Sequence, residues 1–289
     1  MAVAVPPPPL NDAPLAPGLY VVSTPIGNLR DITLRALDVL NGADLVLAED
    51  TRVAAKLLSA YRLKKKVQRY DDHVGEKVAP QVLAVVAGGG RVALISDAGA
   101  PMVSDPGYRL ALAAIEADLP VIPVPGASAV IAGLAAAGLP TDRFLFAGFP
   151  PPRSAARRAF FEELAPLRAT LVFFEGASRV GACLKDMAAV FGPRPAAVAR
   201  ELTKLYETTV RGPLDRLAED PALQSPRGEI VILVGAGETA PATEADADAA
   251  LSSALTRLGP SEAAAEVAHA LGLPRRALYR RALQLQGRE

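Results

Sequence analysis

Short apolar runs alternate with longer amphipathic stretches through the first half of the chain. Leu19–Ser23, Leu45–Ala48, Val92–Ser96 and Val121–Val124 have the length and composition of buried strands. Around them, Ile32–Leu40, Arg52–Tyr61, Lys77–Val86, Tyr108–Ala117 and Ser128–Ala137 carry apolar residues at helical spacing. Strands alternating with helices predict parallel βα units. The pattern breaks at Phe149-Pro150-Pro151-Pro152-Arg153, where consecutive prolines forbid a continuing helix or central strand. Beyond it, strands are expected at Thr170–Phe174, Ala196–Arg200, Glu207–Arg211 and Ile230–Val234, with helices at Ala155–Ala165, Arg179–Phe191 and Leu214–Asp220. Ala196–Arg200 and Glu207–Arg211 lie too close for a crossover helix, so part of this second sheet is expected to be antiparallel.

The expected organisation is a Pro-rich disordered tail (1–17), an N-terminal α/β domain (18–149), a second α/β domain (150–235), an acidic linker (236–249) and a small helical module (250–289). In the module, a helix from Ser261 to Leu271 is broken by Gly272-Leu273-Pro274 and resumes at Arg275, a helix-turn-helix pattern. Its second helix carries Arg275, Arg276, Arg280 and Arg281, either a solvated face or a nucleic-acid contact.

Composition narrows the function. A 289-residue chain exceeds what one core comfortably serves. With 31 basic and 31 acidic residues it does not coat nucleic acid non-specifically, so any RNA contact must come from local patches. Tyr61-Arg62-Leu63-Lys64-Lys65-Lys66 with Arg69 is one such basic run. The single cysteine, Cys183, excludes an internal disulfide, fits a reducing cytoplasm and reads as packing. No apolar run approaches the roughly 20 residues that span a bilayer, so no membrane partner is expected. Two histidines and one cysteine, in no ligand spacing, make a metal site unexpected. Glycine-rich dinucleotide and P-loop fingerprints are absent, and Gly88-Gly89-Gly90 reads as a turn before a strand.

The chemistry sits at strand ends. Ser96-Asp97-Ala98-Gly99-Ala100-Pro101 stops a buried strand with an acid and a small-residue turn. Ser23-Thr24-Pro25-Ile26-Gly27-Asn28, Val124-Pro125-Gly126-Ala127-Ser128-Ala129 and Phe174-Glu175-Gly176 share this grammar. Open α/β sheets place their ligands at the carboxyl ends of strands, so these turns predict a loop-built small-molecule site.

These motifs have a closer reading. With Ala48-Glu49-Asp50-Thr51-Arg52, Asp105-Pro106-Gly107-Tyr108, Ala137-Gly138-Leu139-Pro140 and Ala199-Arg200-Glu201-Leu202-Thr203-Lys204, they run in unbroken order from Gly18 to Val234. In this they resemble the small-subunit ribosomal RNA methyltransferases of the tetrapyrrole methylase superfamily. The resemblance implies a two-domain α/β fold with S-adenosylmethionine in the cleft between domains. It implies methylation of a cytidine ribose 2′-hydroxyl in the decoding region of 16S rRNA, on the 30S subunit, by a homodimer. A small-molecule, tetrapyrrole-type methylase of the same fold is the alternative. The chain departs from the family pattern at Val74, where asparagine is usual, at Gly176 and Ser178 after the strand ending Phe174-Glu175, and at Ala127 in place of the commoner proline.

On that resemblance Pro25, Gly27, Asp97, Ala98, Gly99, Ser128 and Ala129 are the expected cofactor contacts. Asp97 would contribute a carboxylate, and Ser128 and Ala129 the free N–H groups of a helix start. Displacement of a methyl group by an alcohol also needs a proton acceptor. Glu49, Asp50 and Arg52 cluster at one strand end, and His73 follows in a loop. These four are the catalytic candidates.

Overall fold

The structure, a computed structural model, describes residues 10–11, 13–71, 74–237, 244–271 and 273–286. The chain divides after Gly237 into two compact units. The first unit contains two sheets. Strands β1 (Gly18–Val22), β2 (Leu45–Ala48), β3 (Val67–Arg69), β4 (Arg91–Ile95) and β5 (Val121–Val124) pair in the order β3-β2-β4-β1-β5. Every pairing is parallel. The connecting helices are α1 (Leu34–Gly42), α2 (Thr51–Ala60), α3 (Gly75–Ala87), α4 (Tyr108–Glu116) and α5 (Ala129–Ala137).

Alternation along the strands explains the layering. Val22, Val46, Ala93 and Ile95 face a core with Leu37, Leu40 and Leu58 of α1 and α2. Leu19, Leu47, Val92 and Leu94 face a second core with Val82 and Leu110 of α3 and α4. Burial on both faces is why these strands read as continuous apolar runs. A parallel sheet also collects the carboxyl ends of all its strands along one edge.

The second sheet is built from β6 (Phe144–Phe146), β7 (Thr170–Gly176), β8 (Pro195–Arg200), β9 (Thr208–Pro213) and β10 (Glu229–Val234), in the order β6-β7-β10-β8-β9. Only β6 and β7 are parallel; the other pairs are antiparallel, as the short β8–β9 spacing predicted. One face packs on α6 (Ser154–Leu164), α7 (Val180–Phe191) and α8 (Leu214–Glu219), with Cys183 buried there. The other face, through Val172, Ala197, Val231 and Leu233, meets Val130 and Leu134 of α5 and Ile26 of the first half. α5 is apolar and small around most of its circumference because it lies between the two halves. A Cβ on Gly133 would stand 3.2 Å from Val231 Cγ1, a tight contact, so the close approach favours glycine there.

The second unit is described by itself. α9 (Glu244–Leu255), α10 (Pro260–Leu271) and α11 (Arg275–Leu285) close on a small core of Leu251, Val267, Leu278 and alanines. The expected linker 236–249 needs correcting: α9 already begins at Glu244. Glu244 and Asp246 sit in its first turn, where acids favour a helix N-terminus, so an acidic stretch that read as linker is partly helix. Arg281 pairs with Asp248, and Arg275 donates to Ser261 Oγ at 3.2 Å.

Candidate functional site: a two-lobed cleft

The loops after β1 and β4 are stitched together at the sheet edge. Thr24 N donates to Gly99 O at 2.8 Å and Gly99 N returns a bond to Thr24 O at 3.2 Å. Thr24 Oγ1 donates to Ser96 O, and Ser96 Oγ donates to Gly99 O at 3.1 Å. Gly99 has φ +83°, a left-handed conformation that favours glycine. Asp97 Oδ1 accepts from Asp50 N at 3.2 Å, joining the β2 and β4 ends. Ser128 caps α5 and opens its first N–H groups at the same edge.

Two cavities adjoin here, and Ile26, Asp97, Ala98 and Glu229 line both. The more closed lobe, about 270 Å³, has Gly99, Asp105, Ser128 and Ala129 on one side and Phe149, Phe174 and Val231 on the other. The Phe149 and Phe174 rings meet edge-on, 5.6 Å between centroids. The open lobe, about 310 Å³, is lined by Pro25, Gly27, Val53, Lys56, Leu57 and Lys204, among others. All seven expected cofactor residues therefore line the cleft: Pro25 and Gly27 the open lobe, Gly99, Ser128 and Ala129 the closed one, Asp97 and Ala98 the wall.

A latch from the second half closes over the open lobe. Lys204 Nζ bridges Glu201 Oε1 at 2.9 Å and Glu229 Oε2 at 3.0 Å. Its stem fills the place a Cβ on Gly27 would take, and Asn28 N donates to Thr203 Oγ1 at 3.1 Å. Burial opposes the charge on Lys204, but the bonds to Glu201 and Glu229 raise its pKa overall. Glu201 and Thr203 have φ +52° and +66°; for β-branched Thr203 this is a strained conformation, held by its neighbours.

The catalytic candidates separate. Asp50 caps α2 and grips Arg52 at 2.6 Å; that hydrogen bond holds its carboxyl well below the usual carboxylate range, which makes it a weak base. Arg52 extends into solvent with its side chain 86% exposed. His73 lies outside the described residues. Glu49 stands at the end of β2, where its charge reaches Asp105. Asp105 carries the perturbed acid of the cleft. Burial pushes it up to about 6, with Glu49 and Asp97 adding to the shift and a bond to Ser96 opposing it. In sequence Asp105 is one residue of the Asp105-Pro106-Gly107-Tyr108 motif with no chemistry of its own; its neighbours come from separate strand ends that only the fold brings together. Phe149 and Lys56 were likewise passed over. Phe149 precedes the proline break, and Lys56 follows Arg52 by one helical turn, which is the signal that points it the same way.

A sequence profile of tetrapyrrole (corrin/porphyrin) methylases matches residues 18–218, and one of the RsmI C-terminal HTH domain matches 241–286. The chain is 49% identical over 276 residues to ribosomal RNA small subunit methyltransferase I of Erythrobacter litoralis, covering 94% of this chain and 97% of that protein. To the protein of the same name from Mesorhizobium japonicum it is 47% identical over 275 residues, covering 94% of each. Among solved structures, uroporphyrin-III C-methyltransferase from Thermus thermophilus complexed with S-adenyl homocysteine shares the fold. It has a TM-score of 0.53 at 21% identity, covering 75% of this chain and 97% of that one.

Proposed function

The chain belongs to the tetrapyrrole (corrin/porphyrin) methylase family, and from that premise we propose that it methylates the ribose 2′-hydroxyl of a cytidine in the decoding region of 16S rRNA. S-adenosylmethionine is the methyl donor and small-subunit rRNA the substrate class. The 30S subunit as partner, a homodimeric state and a cytoplasmic setting belong to the same reading. Lone, buried Cys183 suits a reducing compartment, and no helix among the described residues is long and apolar enough to cross a membrane. Tyr108 and Ile115 on α4, 67% and 62% exposed, are an apolar face on which a second copy would pack.

The observation that carries this reading is the pair of adjoining lobes with one shared wall. A methyl transfer needs donor and acceptor side by side, and the cleft has a closed place and an open place separated by Asp97 and Ala98.

The closed lobe fits the cofactor. Free N–H groups at the start of α5 suit its carboxylate, Asp97 its ammonium or ribose hydroxyls, and the Phe149 and Phe174 rings its adenine. When bound, the cofactor supplies an electrophilic methyl carbon on a sulfonium. The chain's part is alignment, the loss of one proton, and closure. The stitched loops after β1 and β4 fix the wall, and rigid positioning of this kind lowers a barrier by several kcal/mol. Asp105 lines the closed lobe and feels the charge of Asp97 in the shared wall; ionised above pH about 6, it takes the 2′-hydroxyl proton as the hydroxyl reaches past that wall to the methyl carbon, with the Glu49 charge also acting on it. The Lys204 latch closes the open lobe from the second half.

Calorimetric titration with S-adenosylmethionine and S-adenosylhomocysteine tests the site, and methyl transfer to 30S subunits with mapping of the modified ribose tests the substrate. Micromolar binding is expected. Asp97→Ala is expected to weaken it about 30- to 100-fold, the cost of one lost charge-assisted bond of roughly 2–3 kcal/mol, with the fold unchanged. No binding of either ligand, with or without 30S subunits, would sink the reading. An absorbance change on adding a corrinoid precursor would favour the tetrapyrrole-type alternative.

A further inference from the structure

Between Thr51 and Tyr70 the chain carries seven cations and no carboxylate, in a protein whose charges balance overall. The fold lays this segment out as α2, a short loop and the edge strand β3. Arg52 and Lys56 lie one turn apart on α2, and Lys56 lines the open lobe. Past the end of the helix, Arg62 turns the chain in a left-handed conformation, φ +58°. Lys64 and Lys66 then project outward on either side of Lys65, which donates to Ala43 O at 3.1 Å. A shallow concavity of about 490 Å³, lined by Ser59, Arg62, Lys64 and Lys65, lies between α2 and β3. A cationic strip thus begins inside the cleft and leaves it along one helix.

The charges on this strip are largely uncompensated. Arg52 pairs with Asp50 and Arg69 with Asp71. Lys56, Arg62, Lys64 and Lys66 are exposed and have no carboxylate partner among the described residues. Asp44, which feels the charge of Lys65, is already paired with Arg91, and Asp31 acts on Tyr61. Clustered like charges repel one another, so an exposed strip of this kind suits a polyanion. Tyr61 is half-buried with its hydroxyl donating to Leu29 O, so the strip offers charge rather than a stacking platform. α2 spans ten residues, about 15 Å at 1.5 Å each, or roughly four steps of a stacked strand.

We propose that this strip is the track on which the phosphate backbone of the substrate RNA leaves the open lobe, running along α2 to the concavity beside β3. The inference rests on the rRNA reading above and adds where the strand flanking the target nucleotide is held. It assigns the strip to phosphate contact, which is insensitive to base sequence.

The test uses the full chain with Arg62, Lys64 and Lys66 changed together to Ser, and a second variant, Arg62→Lys/Lys64→Arg/Lys66→Arg. Binding to 30S subunits and to an rRNA fragment is measured across a salt series, with S-adenosylmethionine affinity and molecular mass alongside. The Ser variant is expected to bind RNA at least about tenfold more weakly near 0.1 M salt, and its log–log salt slope to fall by about 2, at roughly 0.7 per lost contact. Cofactor affinity is expected to stay unchanged, and the charge-preserving variant to bind like the wild type. An unchanged slope in the Ser variant, while the wild type methylates 30S subunits, overturns the track and leaves the methylase reading intact. Equal loss in the charge-preserving variant also overturns it, since shape rather than charge would then matter. A changed mass at unaltered RNA affinity assigns the strip to contact between copies instead. A wild type that neither binds nor methylates 30S subunits removes the substrate reading, and the track with it.

Discussion

The two halves of the first unit contribute to one cleft in different ways, and sheet topology is the reason. The parallel sheet delivers every strand's carboxyl end to the same edge, so Thr24, Asp50, Asp97 and Ser128 arrive together from four strands. The mostly antiparallel sheet sends alternate strands away. The ends of β6, β7 and β8 and the start of β10 reach the cleft, bringing Phe149, Glu175, the 201–204 turn and Glu229. The first half therefore supplies the small turns and the Asp97–Ala98 wall, and the second the aromatic side of the closed lobe and a latch. Changes in the first half should alter chemistry and cofactor affinity. Changes in the second should alter stability and closure.

The sharpest way to break that division is Asp105→Asn. If the ionised carboxylate accepts the proton, the wild-type rate at saturating substrates rises as pH increases through about 6 and then levels. The Asn variant is expected to lose about 10²- to 10⁴-fold in kcat and the rise with it, while still binding cofactor. Stability should move the other way. Because folding raises this pKa, Asp105 contributes stability below its unfolded value, and that contribution is lost as pH rises through about 6. At pH 7.5 the Asn variant should therefore unfold no sooner than the wild type. A full-rate Asn variant with an unaltered pH profile would take Asp105 out of the chemistry.

In the second half, Gly228→Ala is the counterpart. Gly228 has φ +94°, and the Glu201 side chain occupies the place of the added methyl. Both the backbone strain and the displaced Glu201, which accepts from Glu229 N at 2.9 Å, should cost stability, together about 2–4 kcal/mol. Thermal unfolding should show it. Cofactor affinity, held by cleft residues other than Gly228, should change far less; a loss as large as that of Asp97→Ala would mean the halves are not separable.

The same contrast governs how much was legible in the sequence. Leu45–Ala48, buried on both faces, announces itself to the residue, and the edge strand Val121–Val124, only partly buried, does so through its unbroken apolar run. β3 and β6 are three residues each at sheet edges, too short to show a period, and were not foreseen. The turns holding Asp97, Gly99 and Ser128 were readable because glycine, proline and serine mark a parallel strand's end. Asp105 was not readable as part of a site, and neither was the way Lys204 bridges Glu201 and Glu229. Their properties come from Glu49, Asp97, Gly27 and Glu229, which are distant in the chain and meet only once both sheets have formed.

The smallest expected effect separates charge from packing in that latch. Lys204→Met keeps an unbranched stem over Gly27 and removes the charge between Glu201 and Glu229. Glu229 is well exposed and loses little. Glu201 is half-buried and keeps its bond from Glu229 N, so the variant should lose only about 0.5–1 kcal/mol, or about 1–4 °C in Tm. The Glu229 N–H, then Lys204, hold the Glu201 pKa below its usual value, so the stability this gives is present above that value and lost as pH falls through the lowered one. The difference between wild type and Lys204→Met should therefore be full at neutral pH and shrink in acid. Lys204→Ala removes the stem as well, and the further loss from Met to Ala measures packing across the cleft alone. If that second step is the larger and does not vary with pH, the latch holds the halves together chiefly by covering Gly27, and the two carboxylates serve to aim the lysine.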